Sequence, residues 1–185
     1  LHMGPCRAYR KGISLLFVFC GVTKNMMRTY HESVMRNDVL HSLNVIMEGV
    51  IVDGTLGYGG HTEFILKNTE PEIRVFAIDR DSSAIERASE RPSPFRDRVT
   101  LAHGNLGDIK ELAAENGVTS VVGVLMDLGV SSPQLDTAGR GFSIQHDGPL
   151  DMRMDSSQKT STADLLIKLS DGELATIIKN FGQER

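Results

Sequence analysis

The fold is decided by the stretch Gly49-Val50-Ile51-Val52-Asp53-Gly54-Thr55-Leu56-Gly57-Tyr58-Gly59-Gly60-His61. Its first residues form a short apolar run that is typical of a buried strand, and glycines crowd the turn that follows. Gly57 and Gly59 can adopt a positive φ and let the backbone approach a ligand closely. A helix beginning at Gly60 would offer its unpaired N–H groups to the same ligand. The stretch therefore predicts a strand–turn–helix ligand site.

Strands and helices alternate along the chain on both sides of this stretch. Apolar runs predict further strands over 74–79, 99–102 and 120–127, and helical spacing or capping signals predict helices over 33–46, 60–67, 82–91 and 108–116. Such alternation predicts an α/β fold with a parallel sheet covered on both faces. Residues 129–160 are rich in glycine and proline and predict loops. Ser161 and Ser170 each open a capping box, which predicts two final helices.

The acidic residues beside the glycine-rich turn indicate which ligand it takes. Counting G-x-G-x-x-G from Gly57 puts Thr62 where the last glycine should stand, which disfavours NAD. Asp53 suits a ligand with a cationic end, such as S-adenosylmethionine. Asp79 ends the second predicted strand, where a carboxylate can accept hydrogen bonds from both ribose hydroxyls of an adenosine. A surface aspartate in a charged turn with Arg80 is the other interpretation of Asp79.

A second polar cluster, Asp127-Leu128-Gly129-Val130-Ser131-Ser132-Pro133-Gln134, follows the fourth predicted strand. In a doubly wound sheet, ligands bind where the carboxyl ends of the strands flank the topological switch point. One aspartate, two serines and a glutamine within eight residues favour a functional site there. A strand-end turn capped by Asp127 is the alternative interpretation.

Composition places the chain among globular proteins with one domain and a true core. Of its 185 residues 40% are hydrophobic and 24% are charged. Both cysteines, Cys6 and Cys20, lie near the amino terminus, so the rest of the chain has no thiol for a disulfide or a zinc site. The histidines are scattered, and we predict no metal site. No apolar run approaches the ~20 residues of a membrane span.

Residues 1–30 form a leader of distinct composition. Five of the 20 basic residues and none of the 24 acidic residues lie in positions 1–31. A mitochondrial transit peptide, an artificial or upstream-translated extension, and a secretory signal all fit this pattern. We expect a mitochondrial location, with the cytoplasm as the alternative. The remaining chain is acidic, so that any RNA contact must be local.

Five motifs in this order resemble those of one known family. They are His31-Glu32-Ser33-Val34-Met35, the glycine-rich stretch, the cluster from Asp127 to Asp136, Arg140-Gly141-Phe142-Ser143, and the run from His146 to Asp155. Together they resemble the bacterial small-subunit ribosomal RNA cytosine-N4 methyltransferases (RsmH, formerly MraW) and their mitochondrial relatives. The resemblance covers about residues 31–185. Ser33 stands where the family usually has proline.

The resemblance implies a Rossmann-like class I fold that uses S-adenosylmethionine. It implies an incomplete parallel sheet of about four strands and the start of a helical insert, divided into a leader (1–30), a cofactor-binding half-domain (31–135) and the insert (136–185). Members of the family continue well beyond the position of residue 185, so we expect a C-terminally truncated chain. We also expect the last strand to present an exposed sheet edge through which the chain could self-associate.

The site residues follow from the motifs and from the resemblance together. The expected cofactor contacts are Asp53, Gly57, Gly59, Gly60, His61, Asp79, Leu106, Asp127 and Gln134, with Leu106 standing where the family has an aromatic residue beside the adenine. Asp127, Ser131 and Ser132 are the catalytic candidates, which would hold an N–H of the target amine. The expected RNA contacts are Arg140, Phe142, His146 and Arg153, and a polar lid is the alternative role of that loop.

The implied reaction transfers a methyl group to the exocyclic N4 of a cytosine in small-subunit ribosomal RNA. A truncated chain that only binds the cofactor or a partner is the alternative. An NAD-dependent enzyme is a third class, against which the glycine spacing already argues.

Overall fold

The computed structural model describes residues 6–10, 13–19, 33, 35–44, 48–90 and 93–182. They belong to two compact units, Leu1–Gly129 and Val130–Arg185. The strands of the first unit are β1 (Cys6–Arg10), β2 (Ile13–Phe19), β3 (Gly49–Asp53), β4 (Ile73–Asp79), β5 (Val99–His103) and β6 (Gly123–Leu128). Its helices are α1 (Arg36–Leu43), α2 (Gly60–Lys67), α3 (Ser82–Glu90) and α4 (Ile109–Glu115).

The described strands form one sheet in the order β1-β2-β6-β3-β4-β5. β2, β6, β3, β4 and β5 run parallel, and β1 is antiparallel to β2. The four strands predicted from the apolar runs are β3 to β6, so the predicted α/β sheet is confirmed. The fourth begins at Gly123, opposite Ile51, and not at residue 120. Part of the first predicted helix, at residues 34, 45 and 46, lies outside the described residues.

β1 and β2 were not predicted, because they come from the leader. Ser14 to Phe19 pair with Gly123 to Leu128, so that β6 has a neighbour on each side. The expectation of an exposed edge at the last predicted strand is therefore wrong for the described residues. A continuous apolar run is common to buried parallel strands and to targeting segments, and composition alone does not separate the two. Self-association stays a prediction.

The sheet carries an apolar cluster on each face, as alternating side chains along its strands require. Neighbouring residues of β3 belong to different clusters: Ile51 lies in one and Val52 in the other. Val75 and Phe76 of β4 divide in the same way, and Phe76 is fully buried. The predicted coverage of both faces is confirmed. The carboxyl ends of the strands remain free to carry polar side chains.

The second unit is helical and loop-rich. Its helices are α5 (Ser132–Asp136), α6 (Thr162–Lys168) and α7 (Asp171–Phe181). Both predicted capping boxes are present: Ser161 exchanges hydrogen bonds with Asp164, and Ser170 does so with Glu173. The short helix α5 was not predicted, since its residues were interpreted as a ligand site.

None of the helices that the structure describes has the length and apolarity to cross a membrane. Within the same residues, three or more His, Cys, Asp or Glu side chains nowhere come together as a metal site would require.

Candidate functional site

The glycine-rich turn between β3 and α2 is fixed by hydrogen bonds to both strands beside β3. The Gly54 N–H donates to the Leu125 carbonyl of β6 at 2.9 Å, and the Leu56 N–H donates to the Ile78 carbonyl of β4 at 3.1 Å. The turn therefore has a set position at the carboxyl ends of three adjacent strands. This is the end of a parallel sheet at which ligands bind.

Three glycines shape the turn, for two different reasons. Gly57 and Gly59 have φ values of 52° and 76°, the left-handed region that favours glycine. Gly60 is constrained by space: a Cβ there would collide with the Ser33 hydroxyl oxygen. Ser33, the departure from the family's opening motif, thus packs against the first residue of α2. The close backbone approach predicted for this turn requires these glycines.

Asp53 is completely buried beneath the turn. Its carboxylate accepts hydrogen bonds from the Thr55 N–H at 3.1 Å and from the Thr62 hydroxyl at 2.7 Å. Burial raises the pKa of Asp53, and these hydrogen bonds act in the opposite direction. Asp53 was predicted as a contact for a cationic ligand. In the structure its carboxylate holds the turn together, and Thr55 and Thr62, which the sequence analysis missed, are its partners.

Asp79 joins the end of β4 to the same turn. Its Oδ2 accepts a hydrogen bond from the Gly57 N–H at 2.7 Å, and its Oδ1 accepts one from the Asp81 N–H at 2.8 Å. Burial raises the pKa of Asp79. Each carboxylate oxygen has a second lone pair, so both can still accept ribose hydroxyls. The simple surface-turn interpretation of Asp79 does not account for its bond to Gly57.

Leu106, expected beside the adenine, lies directly over the start of the turn. A Cβ on Gly54 would collide with the Leu106 side chain. Leu106 therefore covers the turn with an aliphatic surface on the side of β5.

Asp127, at the end of β6, and His61, on α2, form a largely buried pair. The Asp127 N–H donates to the Thr55 hydroxyl at 2.7 Å, which fixes the backbone of this residue. The His61 Nε2 lies 3.6 Å from the Asp127 Oδ2, with side chains 6% and 19% exposed. Among the described residues, Asp127 Oδ1 and both ring nitrogens of His61 are buried without a hydrogen-bond partner. Buried polar atoms are nearly always paired, so these atoms fit a bound polar group such as the amino-acid part of S-adenosylmethionine.

Two predicted site residues of the second unit serve as a helix cap. The Ser131 N–H donates to the Gln134 Oε1 at 3.0 Å, and the two residues form a capping box at the start of α5. Gln134 is 5% exposed. Ser132 is the first residue of α5. The spacing of Ser131 and Gln134 is the capping-box signal itself, and it could have predicted this helix.

The two arginines expected at RNA hold their own loop together. The Arg140 guanidinium donates to the carbonyls of Arg153 and Met154 at 3.0 and 2.8 Å. Arg153 forms a two-pronged ion pair with Asp151, at 2.7 and 2.8 Å. These bonds lower the pKa of Asp151 to about 2. Phe142 is half-buried and His146 is exposed.

The profile of the MraW methylase family matches residues 28–185. The chain belongs to the MraW methylase family. It is 48% identical over 155 residues to the Ribosomal RNA small subunit methyltransferase H of Syntrophotalea carbinolica, covering 84% of this chain and 49% of that protein. It is 49% identical over 155 residues to the protein of the same name from Sorangium cellulosum, again covering 84% and 49%. The chain spans about half the length of the curated relatives it matches.

Membership of the MraW methylase family confirms the resemblance seen in the sequence, and with it the methyltransferase fold class and S-adenosylmethionine as cofactor. These relatives come from bacteria, and the mitochondrial location stays a prediction. Solved structures overlap the chain only in part. An rRNA methylase from Streptococcus thermophilus is 21% identical with a TM-score of 0.33, covering 46% of this chain and 49% of that one. Precorrin-6y C5,15-methyltransferase from Geobacter metallireducens is 16% identical with a TM-score of 0.36, covering 58% and 72%.

Proposed function

We propose that the chain is the cofactor-binding part of an enzyme that methylates the exocyclic N4 of a cytosine in small-subunit ribosomal RNA. The observation that carries the proposal is the fixed turn from Asp53 to His61, with Asp79 and Asp127 beside it, at one end of a parallel sheet. The proposal is also supported by the similarity of the chain to proteins named Ribosomal RNA small subunit methyltransferase H.

The residues of the first unit divide the binding task. Gly57 and Gly59 bring the backbone of the turn close to the cofactor, Asp79 accepts the ribose hydroxyls, and Asp127 offers its free Oδ1. When bound, S-adenosylmethionine supplies a methyl group that the positive charge of its sulfonium activates. The protein then has to orient the amine and exclude water, and orientation alone can supply ~7–11 kcal/mol in favourable cases.

The loop from Arg140 to Asp155 is the part of the second unit that we assign to the RNA. A cytosine must leave its stack before its amine can react, and an unstacked base is commonly held on an aromatic side chain. Phe142 and the exposed His146 are the side chains suited to this contact. Arg140 and Arg153 are committed to the loop, so that their contribution is to set its shape.

Methyl transfer to RNA, followed by nucleoside analysis, tests the proposal. The full chain, S-adenosylmethionine labelled in its methyl group, and unmethylated small-subunit RNA should yield N4-methylcytidine after digestion. Labelled 5-methylcytidine, or a methylated adenosine, would contradict the assignment of the target atom. Calorimetry with S-adenosylmethionine, its demethylated product and NAD distinguishes the methyltransferase from an NAD-dependent enzyme. The latter would bind NAD and not S-adenosylmethionine.

A cofactor-binding module without turnover is the second candidate. It is favoured by the engagement of Ser131, one of the catalytic candidates, with Gln134 in the capping box of α5. Binding of S-adenosylmethionine with no labelled RNA product would select this candidate.

The mitochondrial location is part of the proposal and rests on the basic, acid-free leader. Residues 13–19 pair with β6, so cleavage of the leader would remove this strand from the sheet. The mature protein therefore either keeps the leader within the sheet or loses it after import. Amino-terminal sequencing of the mature protein from fractionated cells decides between them.

A further inference from the structure

The glycine-rich turn carries one side chain among its glycines. Tyr58 lies between Gly57 and Gly59, whose φ values are 52° and 76°. Its side chain is 42% exposed, and the guanidinium carbon of Arg87 lies over the ring, 5.4 Å from the ring centre. A guanidinium at this distance is attracted by the negative face of an aromatic ring. The contact therefore joins the turn to α3, the helix that carries Arg87.

The first turn of α3 holds Arg87 in this position. The Arg87 guanidinium donates a hydrogen bond to the Ser83 hydroxyl at 2.6 Å, one helical turn earlier. The Ser83 hydroxyl in turn donates to Asp81 Oδ1 at 2.7 Å, and the same oxygen accepts the Ser83 N–H at 3.1 Å, as the carboxylate of an N-cap residue does. Asp81 is only 4% exposed. The guanidinium is thus oriented, through Ser83, by a buried carboxylate.

Asp81 connects the start of α3 back to the turn. Its N–H donates to Asp79 Oδ1 at 2.8 Å, and Asp79 Oδ2 accepts the Gly57 N–H at 2.7 Å. Since Gly57 precedes Tyr58 in the chain, the contacts form a closed cycle that leaves the turn at the Tyr58 ring and returns to it at the Gly57 N–H. Asp79 is a member of this cycle, so the position of its carboxylate and that of the turn are set together.

A closed cycle matters most where the backbone is otherwise free. Gly57 and Gly59 have access to more backbone conformations than other residues, and ordering them costs conformational entropy. Without an anchor, the cofactor would have to order the turn as it binds. A Tyr58 ring already held against α3 reduces this cost before binding, which is the general way in which preorganisation raises affinity.

We propose that Arg87 is a positioning residue for S-adenosylmethionine. Through the Tyr58 ring on one side, and through Ser83 and Asp81 on the other, it holds the turn and Asp79 in the arrangement that binds the cofactor. The inference rests on the proposed role of Asp79 at the ribose and is independent of the RNA target. Arg87 acts through its neighbours, so it needs no contact of its own with the cofactor.

Calorimetry with S-adenosylmethionine on the full chain tests the inference. Arg87→Gln and Tyr58→Ala should each weaken binding ~2- to 5-fold, the range for an exposed cation–π contact, and the double variant should lose no more than the weaker single variant. Tyr58→Phe keeps the ring and should recover most of the affinity that Tyr58→Ala loses. Arg74→Gln is the matched control, because the Arg74 guanidinium also makes an exposed hydrogen bond, to the Asp97 carbonyl at 3.0 Å, at the other end of β4. It should bind as the wild type does.

Two further measurements separate positioning from a general effect on stability. In a chain that already carries Asp79→Ala, the added change Arg87→Gln should have little further effect on affinity, since the cycle is broken at the residue through which it acts. In the free protein, NMR should show faster hydrogen exchange of the Gly57 N–H in Arg87→Gln and an unchanged rate in Arg74→Gln.

The possible failures can be told apart. Wild-type affinity in Arg87→Gln, together with a weakened Asp79→Ala, would overturn the positioning role and leave the proposed function intact. Equal losses in Arg87→Gln and Arg74→Gln, or an undiminished effect of Arg87→Gln in the Asp79→Ala chain, would overturn it as well. Wild-type affinity in Asp79→Ala would remove the ribose role of Asp79 from the proposed function, and the positioning role with it.

Discussion

The Gly57 N–H donates a hydrogen bond to Asp79 Oδ2 over 2.7 Å, and this bond joins the glycine-rich turn to the end of β4. The two residues were predicted separately, one to let the backbone approach the cofactor and the other to hold the ribose. In the structure the two residues are joined by this hydrogen bond, so a ligand bound by Asp79 has a fixed position relative to the turn. Changes at either residue should affect the same binding step.

Asp79→Ala should weaken the binding of S-adenosylmethionine by ~1.5–3 kcal/mol, the range for hydrogen bonds to a charged group. The substitution removes the acceptor for the ribose and also leaves the Gly57 N–H without its partner. Calorimetry measures the change, with circular dichroism to verify folding. Asp97→Ala, at an exposed aspartate beside β5, should bind as the wild type does. Unchanged affinity in a folded Asp79→Ala would make Asp79 a structural turn residue.

Gly59→Val should abolish cofactor binding. The φ of 76° is strained for any β-branched residue, and the added side chain stands where the backbone meets the ligand. Gly117→Val is a matched control, since Gly117 has a φ of 71° and has nothing within 4 Å of the position its Cβ would take. Both variants should lose stability, but only Gly59→Val should lose binding. Equal losses of binding would mean that strain, and not the contact, is responsible.

The sequence predicted the parts of the molecule that local patterns encode. β3 to β6 are apolar runs with glycine or polar residues at their ends, and the boxes at Ser161 and Ser170 are local signals. β2 was missed because its apolar run was interpreted as part of a leader, and nothing local showed that Leu16 pairs with Leu125. No local pattern states which distant strand an apolar run will join.

Side-chain direction was the other property that local patterns did not give. The position of Asp53 at a strand end was predicted correctly, but its carboxylate points at Thr55 and Thr62 and not at open space. The Gln134 side chain likewise bonds to the N–H of Ser131. In both cases a polar neighbour along the chain satisfies the group, and this competition from nearby backbone donors is a known property of short polar motifs.

A chain restricted to residues 27–185 should self-associate more than the full chain does. Without β2, the β6 edge from Gly123 to Leu128 would present unpaired N–H and C=O groups. Light scattering at matched concentrations measures the difference. Leu16→Pro in the full chain should act in the same direction, because proline removes a backbone donor and fits poorly inside a sheet. A stable monomer of residues 27–185 would show that the leader strands are dispensable.

The Asp151–Arg153 pair should make stability depend on pH under acidic conditions. The pKa of Asp151 in the folded chain is about 2, below its ordinary value of 3.8, because Arg153 donates to both carboxylate oxygens. Its contribution is therefore present above about pH 3.8 and is lost as the pH falls towards 2. Thermal unfolding across this pH range should show that Asp151→Asn loses less stability on acidification than the wild type does. Asp147→Asn, at an exposed position of the same loop, should keep the wild-type dependence.

The parallel pairing of β2 with β6 also imposes an order on biosynthesis. β2 leaves the ribosome early in synthesis, but β6 emerges only after β3, β4 and β5 have been made. At ~5–20 residues per second, the apolar strand waits on the order of ten seconds for its partner. The pairing of Leu16 with Leu125 is a long-range contact of the kind that slows folding, so we expect it to be among the last to form. During that interval the unpaired strand is the segment that a chaperone would bind.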